Sequence, residues 1–356
     1  MSEVLLVGPP AHPALAEALG VVGRPETIPA TLTGGLQAGI QRHNWPVLHH
    51  DDGAMTEAVR APMTPTLNRY ASVMGLTPID WRGDRILGAL AHGPGGVAWD
   101  RHRWRAPLAA GIAGAIAALP ADRDIAAIAA RLPQIAVWAD SRLRASRETR
   151  PLMPAPRDDD AWHLSQGSQP YADFFAVEEW TVSHLRHDGG QSPQMRRAAM
   201  ILGDAAVVLP WDPVRDRVLV IEQFRVVPAL RDDPQPWLIE PIAGRIDAGE
   251  TPEIAARREA MEEAGLRLGS LIPAMGIYPS PGALAEYLYL FVAPVDLPDD
   301  VIGIHGLASE AEDIRSHLLD RSELTRMALA GEVPNGPLAT LALWLEVRAA
   351  ELRAQA

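Results

Sequence analysis

The stretch that most constrains this chain is residues 240–266, EPIAGRIDAGETPEIAARREAMEEAGL, which sets five glutamates and three arginines between Gly244 and Gly265. Its local signals spell a loop, a helix and a stop. Thr251 is placed to cap a helix that begins at Pro252, where a missing N–H costs nothing, and Gly265 supplies the left-handed conformation that ends it. Glu259 and Glu263 are four residues apart and Glu262 is three from Glu259, so the carboxylates share one helical face. Ile254, Ala255 and Met261 are expected to face the core. Like charges at this spacing destabilise an isolated helix, and a divalent cation is the natural compensation. Hard oxygen ligands select Mg2+, with Mn2+ as the alternative. The plainer reading of a Glu-rich helix is a solvated acidic face with Arg257 and Arg258 as ordinary ion-pair partners.

The spacing decides between the two. Gly244, Glu250, Arg258-Glu259, aliphatic Ala260, Glu262-Glu263, Gly265 and aliphatic Leu266 fall at the positions of the Nudix box, and no position departs from it. At ordinary residue usage its seven fixed positions would coincide by chance about once in 10^8 starting points. The C-terminal half is therefore identified as a member of the Nudix hydrolases.

The chain has 356 residues, more than one core usually organises, so two domains are expected. Hydrophobic residues make up 47% and charged residues 22%, the balance of a globular protein. A net charge of −13 without a basic stripe disfavours nucleic acid and anionic membranes as partners. A polyanionic small molecule then needs a metal and local arginines. With no cysteine there is no disulfide or thiol chemistry. The opening MSEVLLVGPPAHP reads as a first strand instead of a signal peptide, and the longest apolar stretch, Ala106 to Leu119, is too short to span a bilayer. Cytoplasmic placement is the expectation.

Before the box, Val4 to Val7 reads as a buried strand, His12 to Leu19 as a short helix, Pro46 to Leu48 as a strand and Pro65 to Met74 as a helix. His49, His50, Asp51 and Asp52 are expected in a polar turn, and Trp99, Trp104 and Trp138 as packing residues. Residues 106–150 read as helical, with one helix to Leu119 and a second from Asp122 to about Arg147. Residues 151–170 read as a linker, from their prolines, consecutive aspartates and Ser-Gln-Gly-Ser segment. The first hundred residues resemble the gamma-glutamylcyclotransferase-like fold. Val7-Gly8-Pro9-Pro10 stands at its Tyr-Gly-Thr-Leu type turn, and Met74 stands where that family carries a general-base glutamate. Methionine cannot take a proton, so a degenerate binding or dimerisation domain over 1–105 is expected.

Residues 171–356 carry the rest of the Nudix half. Phe174 to Val182 reads as an edge strand, Ala205 to Pro210 and Arg217 to Arg225 as a hairpin turning at Asp212 to Asp216, and Trp237 to Ala243 as the strand entering the box. Later strands are expected over 273–278 and 286–292, and helices over 322–330 and 337–354. The fold class is α+β: a C-terminal Nudix α/β/α sandwich with a mixed sheet, preceded by a smaller α+β domain and a helical segment.

The half resembles the ADP-ribose pyrophosphatase branch through Leu209 to Asp216, Ile221 to Arg225, Ser280-Pro281-Gly282 and Gly303 to Ala308, with Pro281 placed 15 residues beyond Leu266. Gly282-Ala283-Leu284-Ala285-Glu286 replaces the branch's Gly-Gly-Thr-Ser-Glu loop, keeping the glutamate and losing the small polar residues. The resemblance implies Mg2+ held by Glu259, Glu263, Glu262 and the Ala243 carbonyl, with Arg258 orienting the box carboxylates. It implies a base from the 307–313 loop, Glu310 or else Glu312. Arg225 and Glu286 are implied for substrate contact, Phe174 or Phe175 for stacking on adenine, and Arg196 or Arg197 for its other face, in a pocket shared across a homodimer. The implied reaction is hydrolysis of ADP-ribose to AMP and ribose 5-phosphate. Another nucleotide sugar, or a nucleotide-sensing domain that does not hydrolyse, stands as the alternative.

Overall fold

In the computed structural model, which describes residues 3–94, 96–148, 160–307 and 311–355, the apolar run after Glu3 forms strand β1 (Glu3–Val7). It is buried from Val4 onward, as an unbroken apolar run requires. The chain divides into two units, Met1–Arg157 and Asp158–Ala356. In the first unit β1 is followed by α1 (Pro13–Ala18), β2 (Arg24–Thr33), β3 (Val47–Pro62), α2 (Pro65–Val73), β4 (Ile79–Trp81) and β5 (Asp84–Leu87). The sheet order is β2-β3-β1-β5-β4, with β1 and β5 parallel.

His49 and His50 are not in a turn. They belong to β3, opposite Thr31 and Ala30, and the register then jumps to Pro29 opposite Met55, so residues 51–54 bulge from the ladder. The helical segment holds α3 (Ala106–Ala118), α4 (Ile125–Ala130) and α5 (Leu132–Ala145), so the expected second helix is broken at Arg131, just before Pro133. These helices pack within the first unit, α3 against α1 and α5. Met74 closes α2 and is fully buried.

The second unit begins with β6 (Trp162–Ala172), β7 (Ala176–His184) and β8 (Met195–Ile201), which with β14 (Leu284–Ala285) form a sheet ordered β14-β8-β7-β6. Residues 162–170 are thus strand and not linker. Gly167 and Pro170 fall in the two register breaks of β6, where a missing N–H and a missing side chain are tolerated. That placement also moves β7 from the expected edge to the interior.

The larger sheet contains β9 (Ala205–Asp212), β10 (Arg217–Phe224), β11 (Trp237–Glu240), β12 (Ile242–Arg245), β13 (Ile272–Ile277), β15 (Leu288–Pro294), β16 (Ile304–His305) and β17 (Ile314–Asp320). Its path is β13-β15-β9-β10-β17-β16, with β15 and β9 parallel. The strand expected over 237–243 is interrupted at Pro241: β11 pairs with β10, while β12 pairs with β9. Helix α7 (Pro252–Ala264) covers one face, α8 (Arg321–Leu329) and α9 (Gly336–Gln355) the other, and α6 (Val226–Leu230) lies between β10 and β11. Alternation supplies both cores: Ala206, Val208, Leu219 and Ile221 face α7, whereas Val207, Leu209, Val218 and Val220 face the α8 and α9 side.

The β9–β10 turn is pinned by Asp212, whose side chain is buried. Its Oδ1 accepts from the N–H groups of Val214 (2.9 Å) and Arg215 (3.0 Å), and Oδ2 accepts from Arg215 Nη1 (2.6 Å) and the Leu297 N–H (3.2 Å). Burial alone would raise its pKa, but these bonds prevail and hold it at about 2, below the usual 3.8. Asp212→Ala should cost about 3 kcal/mol at neutral pH, by orphaning buried donors. Because the folded pKa is depressed, that contribution is complete above about pH 4 and fades as pH falls toward about 2. Urea midpoints of the two proteins should therefore converge in acid, and an equal gap at both pH values would refute the assignment.

Candidate active site

Helix α7 forms as its sequence dictates. Thr251 caps it by accepting from the Ile254 N–H at 3.3 Å, and Gly265 ends it at φ 64°. Its inward face is not Ile254 and Met261, which are 52% and 41% exposed, but Ala255, Ala256, Ala260 and Ala264. Small side chains let the helix lie close to the strands. That closeness turns Glu263 inward, leaving it 2% exposed.

Strand β12 is shaped to receive the carboxylates. A Cβ added to Gly244 would lie 1.9 Å from Glu259 Oε1, so only glycine leaves room for that side chain. Glu263 Oε2 accepts from the Ala243 N–H at 3.1 Å. Arg258 ties the group together. Its Nη1 donates to Glu259 Oε1 (2.5 Å) and Glu262 Oε2 (3.1 Å), its Nε and Nη2 hold both oxygens of Glu250, and Nη2 also donates to the Arg245 carbonyl at 2.9 Å. Arg258 thus contacts three of the carboxylates it was expected to orient, Glu250 included.

One guanidinium does not offset this much buried negative charge. Desolvation, with repulsion from neighbouring carboxylates, pushes Glu259 up to about 7 and Glu263 up to about 8. Burial also acts on Glu250, yet its bonds to Arg258 hold its pKa below the usual value. Two carboxylates that resist ionisation in a cavity suit a divalent cation, whose charge removes the penalty. Among the described residues no three acidic or histidine side chains cage a cation by themselves.

Glu259 opens onto a cavity of ≈ 1040 Å³ in the second unit, whereas Glu262 and Glu263 are not part of its lining. Ala243, Glu259, Arg225, Phe174, Glu286 and Glu312 all line it, so the fold brings together most of the residues singled out in the sequence. Arg225 is anchored: it donates to both oxygens of buried Glu240, the nearest at 2.7 Å. Burial raises the pKa of Glu286, partly opposed by the charge of Arg245. Glu312 Oε2 accepts from the Leu307 N–H at 3.1 Å, and its charge acts on Glu259 and Glu263. Glu310 lies outside the described residues.

Phe175, Arg196 and Arg197 do not line this cavity. Phe175 packs against Tyr171 and Phe174, Arg196 pairs with Glu179, and Arg197 bonds the Arg196 carbonyl and Met195. Sequence reasoning missed Glu240, Phe224, Trp237 and Arg245. Glu240 carried one legible signal, since it precedes the box on a strand that would run beside Arg225. Phe224 and Trp237, at 5.3 Å in an edge-to-face pair, become neighbours only through the β10–β11 register.

The NUDIX domain family matches residues 202–336. The chain is 40% identical over 177 residues to the ADP-ribose pyrophosphatase of Escherichia coli (strain K12), covering 50% of this chain and 84% of that protein. To the ADP-ribose pyrophosphatase of Haemophilus influenzae it is 37% identical over 186 residues, 51% of this chain and 85% of the relative. To the GDP-mannose pyrophosphatase of Shigella flexneri serotype 5b it is 30% identical over 174 residues, 49% and 89% respectively. With the box carboxylates, the glycine beneath Glu259 and the arginine between them all in place, the chain belongs to the Nudix hydrolase family, on the branch of the ADP-ribose pyrophosphatases.

Proposed function

We propose that this protein hydrolyses the diphosphate bond of ADP-ribose, giving AMP and ribose 5-phosphate with the help of Mg2+. The observation that carries the reading is the carboxylate pair one turn apart, Glu259 at the wall of a cavity of nucleotide size and Glu263 buried beside the Ala243 N–H. The 37–40% identity to ADP-ribose pyrophosphatases supports the choice of substrate. A GDP-sugar is the second reading, supported by the 30% identity to a GDP-mannose pyrophosphatase.

Glu259 and Glu263, with Glu262 and the Ala243 carbonyl beside them, are the residues that would hold Mg2+. When bound, the ion neutralises charge on the phosphates and acidifies water. The protein's own residues do the rest. Arg258 keeps Glu259 and Glu262 turned toward one another while Gly244 leaves the space they need. A loop glutamate takes a proton from the attacking water: Glu310 by family likeness, or Glu312, which faces the cavity. Water adds to one phosphorus, the bridging P–O bond breaks, and the departing phosphate leaves as a monoester. Arg225, braced by Glu240, and Glu286 line the path of the substrate. We also propose that the chain works as a homodimer in the cytoplasm, a reading that follows from its likeness to the ADP-ribose pyrophosphatase branch. No helix among the described residues is long and apolar enough to cross a membrane.

Phosphate release from ADP-ribose and from GDP-mannose, coupled to a phosphatase, tests the reaction. Turnover of ADP-ribose with Mg2+, abolished by chelation, is expected. Absence of turnover with either substrate by folded protein would end the proposal. Glu263→Gln should lower kcat by at least about a hundredfold and cancel any rise in Tm on adding Mg2+. The amide can still accept from Ala243, so the metal-free variant should melt no lower than the wild type. Glu312→Gln should lower kcat by about a hundredfold or more if Glu312 is the base; an unchanged rate assigns that role to Glu310.

A further inference from the structure

Three arginines line the cavity among the described residues: Arg225, Arg245 and Arg258. The donors of Arg258 are occupied by Glu250, Glu259, Glu262 and the Arg245 carbonyl, and Arg225 grips Glu240. Arg258 is fully engaged, and Arg225 keeps only its Nη1 for an anion. Arg245 differs. Its guanidinium carbon lies 4.8 Å over the centroid of the Phe174 ring, and among the described residues its charge acts on Glu286 while no hydrogen bond ties it down. A guanidinium laid on an aromatic face keeps its donors in a fixed plane, and it loses its weak hydration readily.

The backbone also holds Arg245 in place. It pairs with Ala205 in the sheet, and its carbonyl accepts from Arg258. Alternation along β12 points Arg245 to the opposite side from Gly244, over which Glu259 packs. The cavity therefore has Glu259 against one side of this strand and the Arg245 guanidinium on the other, within electrostatic reach of Glu286. Phe174, 65% exposed, is an open surface for a purine.

We propose that Arg245 is a substrate-binding residue: laid on Phe174, its guanidinium takes an oxygen of the phosphate that carries the nucleoside. The inference rests on the diphosphate hydrolysis proposed above and adds to it an anion contact outside the fixed positions of the box. Glu286 and Asp204, which share this end of the cavity, limit its net positive charge and are suited to accept from sugar hydroxyls.

The test is Arg245→Met, which keeps an unbranched stem over Phe174 and removes the charge and the donors. The expected result is a KM for ADP-ribose raised about tenfold to a hundredfold with kcat within about twofold, and inhibition by AMP weakened by a similar factor. Inhibition by adenosine, which lacks the phosphate, should not change, and Arg245→Lys should restore part of the loss. An unchanged KM with an unchanged AMP constant would overturn the proposal. So would an equal loss for adenosine and AMP, since it would place the contact on the nucleoside. If the wild type fails to hydrolyse ADP-ribose, the reaction above is wrong. Calorimetric titration of AMP into wild type and Arg245→Met still decides on Arg245, with equal or absent binding in both counting against it.

Discussion

The burial of Glu259 and Glu263 one turn apart on α7 is the constraint on which the second unit depends. Carboxylates in a dry, crowded place would rather stay protonated, and their pKa values of about 7 and about 8 express that cost. The fold tolerates it by three means. Gly244 leaves space for one carboxylate, the Ala243 N–H bonds the other, and Arg258 distributes a single positive charge among Glu250, Glu259 and Glu262. What is left uncompensated is the capacity to bind a cation.

The scaffold around that site explains its precision. Helix α7 approaches β9 and β12 through alanines, and the same strands carry aliphatic side chains on their far face against α9. The helix and β12 are therefore fixed relative to one another by two cores, and the carboxylates inherit that rigidity. Glu312 is tied back to Leu307, and the neighbouring Gly306 N–H donates to the Glu262 carbonyl on the box helix.

The box was legible because its residues are set by local rules. Cap, stop and carboxylate spacing all act within one helix, and Thr251, Gly265, Glu259 and Glu263 stand where those rules put them. The division of the Nudix half into strands was also readable, since Val207 and Val208 alternate between two cores. The failures came from long-range pairing. Nothing local says that Trp237 meets Phe224, that β6 would form across Gly167 and Pro170, or that Pro241 would send β11 and β12 to different partners. Ile254 and Met261 were assigned to the core on their hydrophobicity, whereas the helix turned its alanines and an acid inward. Arg245 was passed over for a similar reason: its place over Phe174 in the cavity becomes visible only once β12 and the segment before β7 are brought together.

The account stands most directly on the link between those buried carboxylates and a divalent ion. Calorimetric titration of Mn2+ into the protein, with AMP present to supply phosphate oxygens, measures that link without requiring turnover. Saturable binding to the wild type, lost when Glu259 and Glu263 are both changed to glutamine, is the predicted result. Equal binding by the two folded proteins would contradict it and would leave the burial of these acids without a cause.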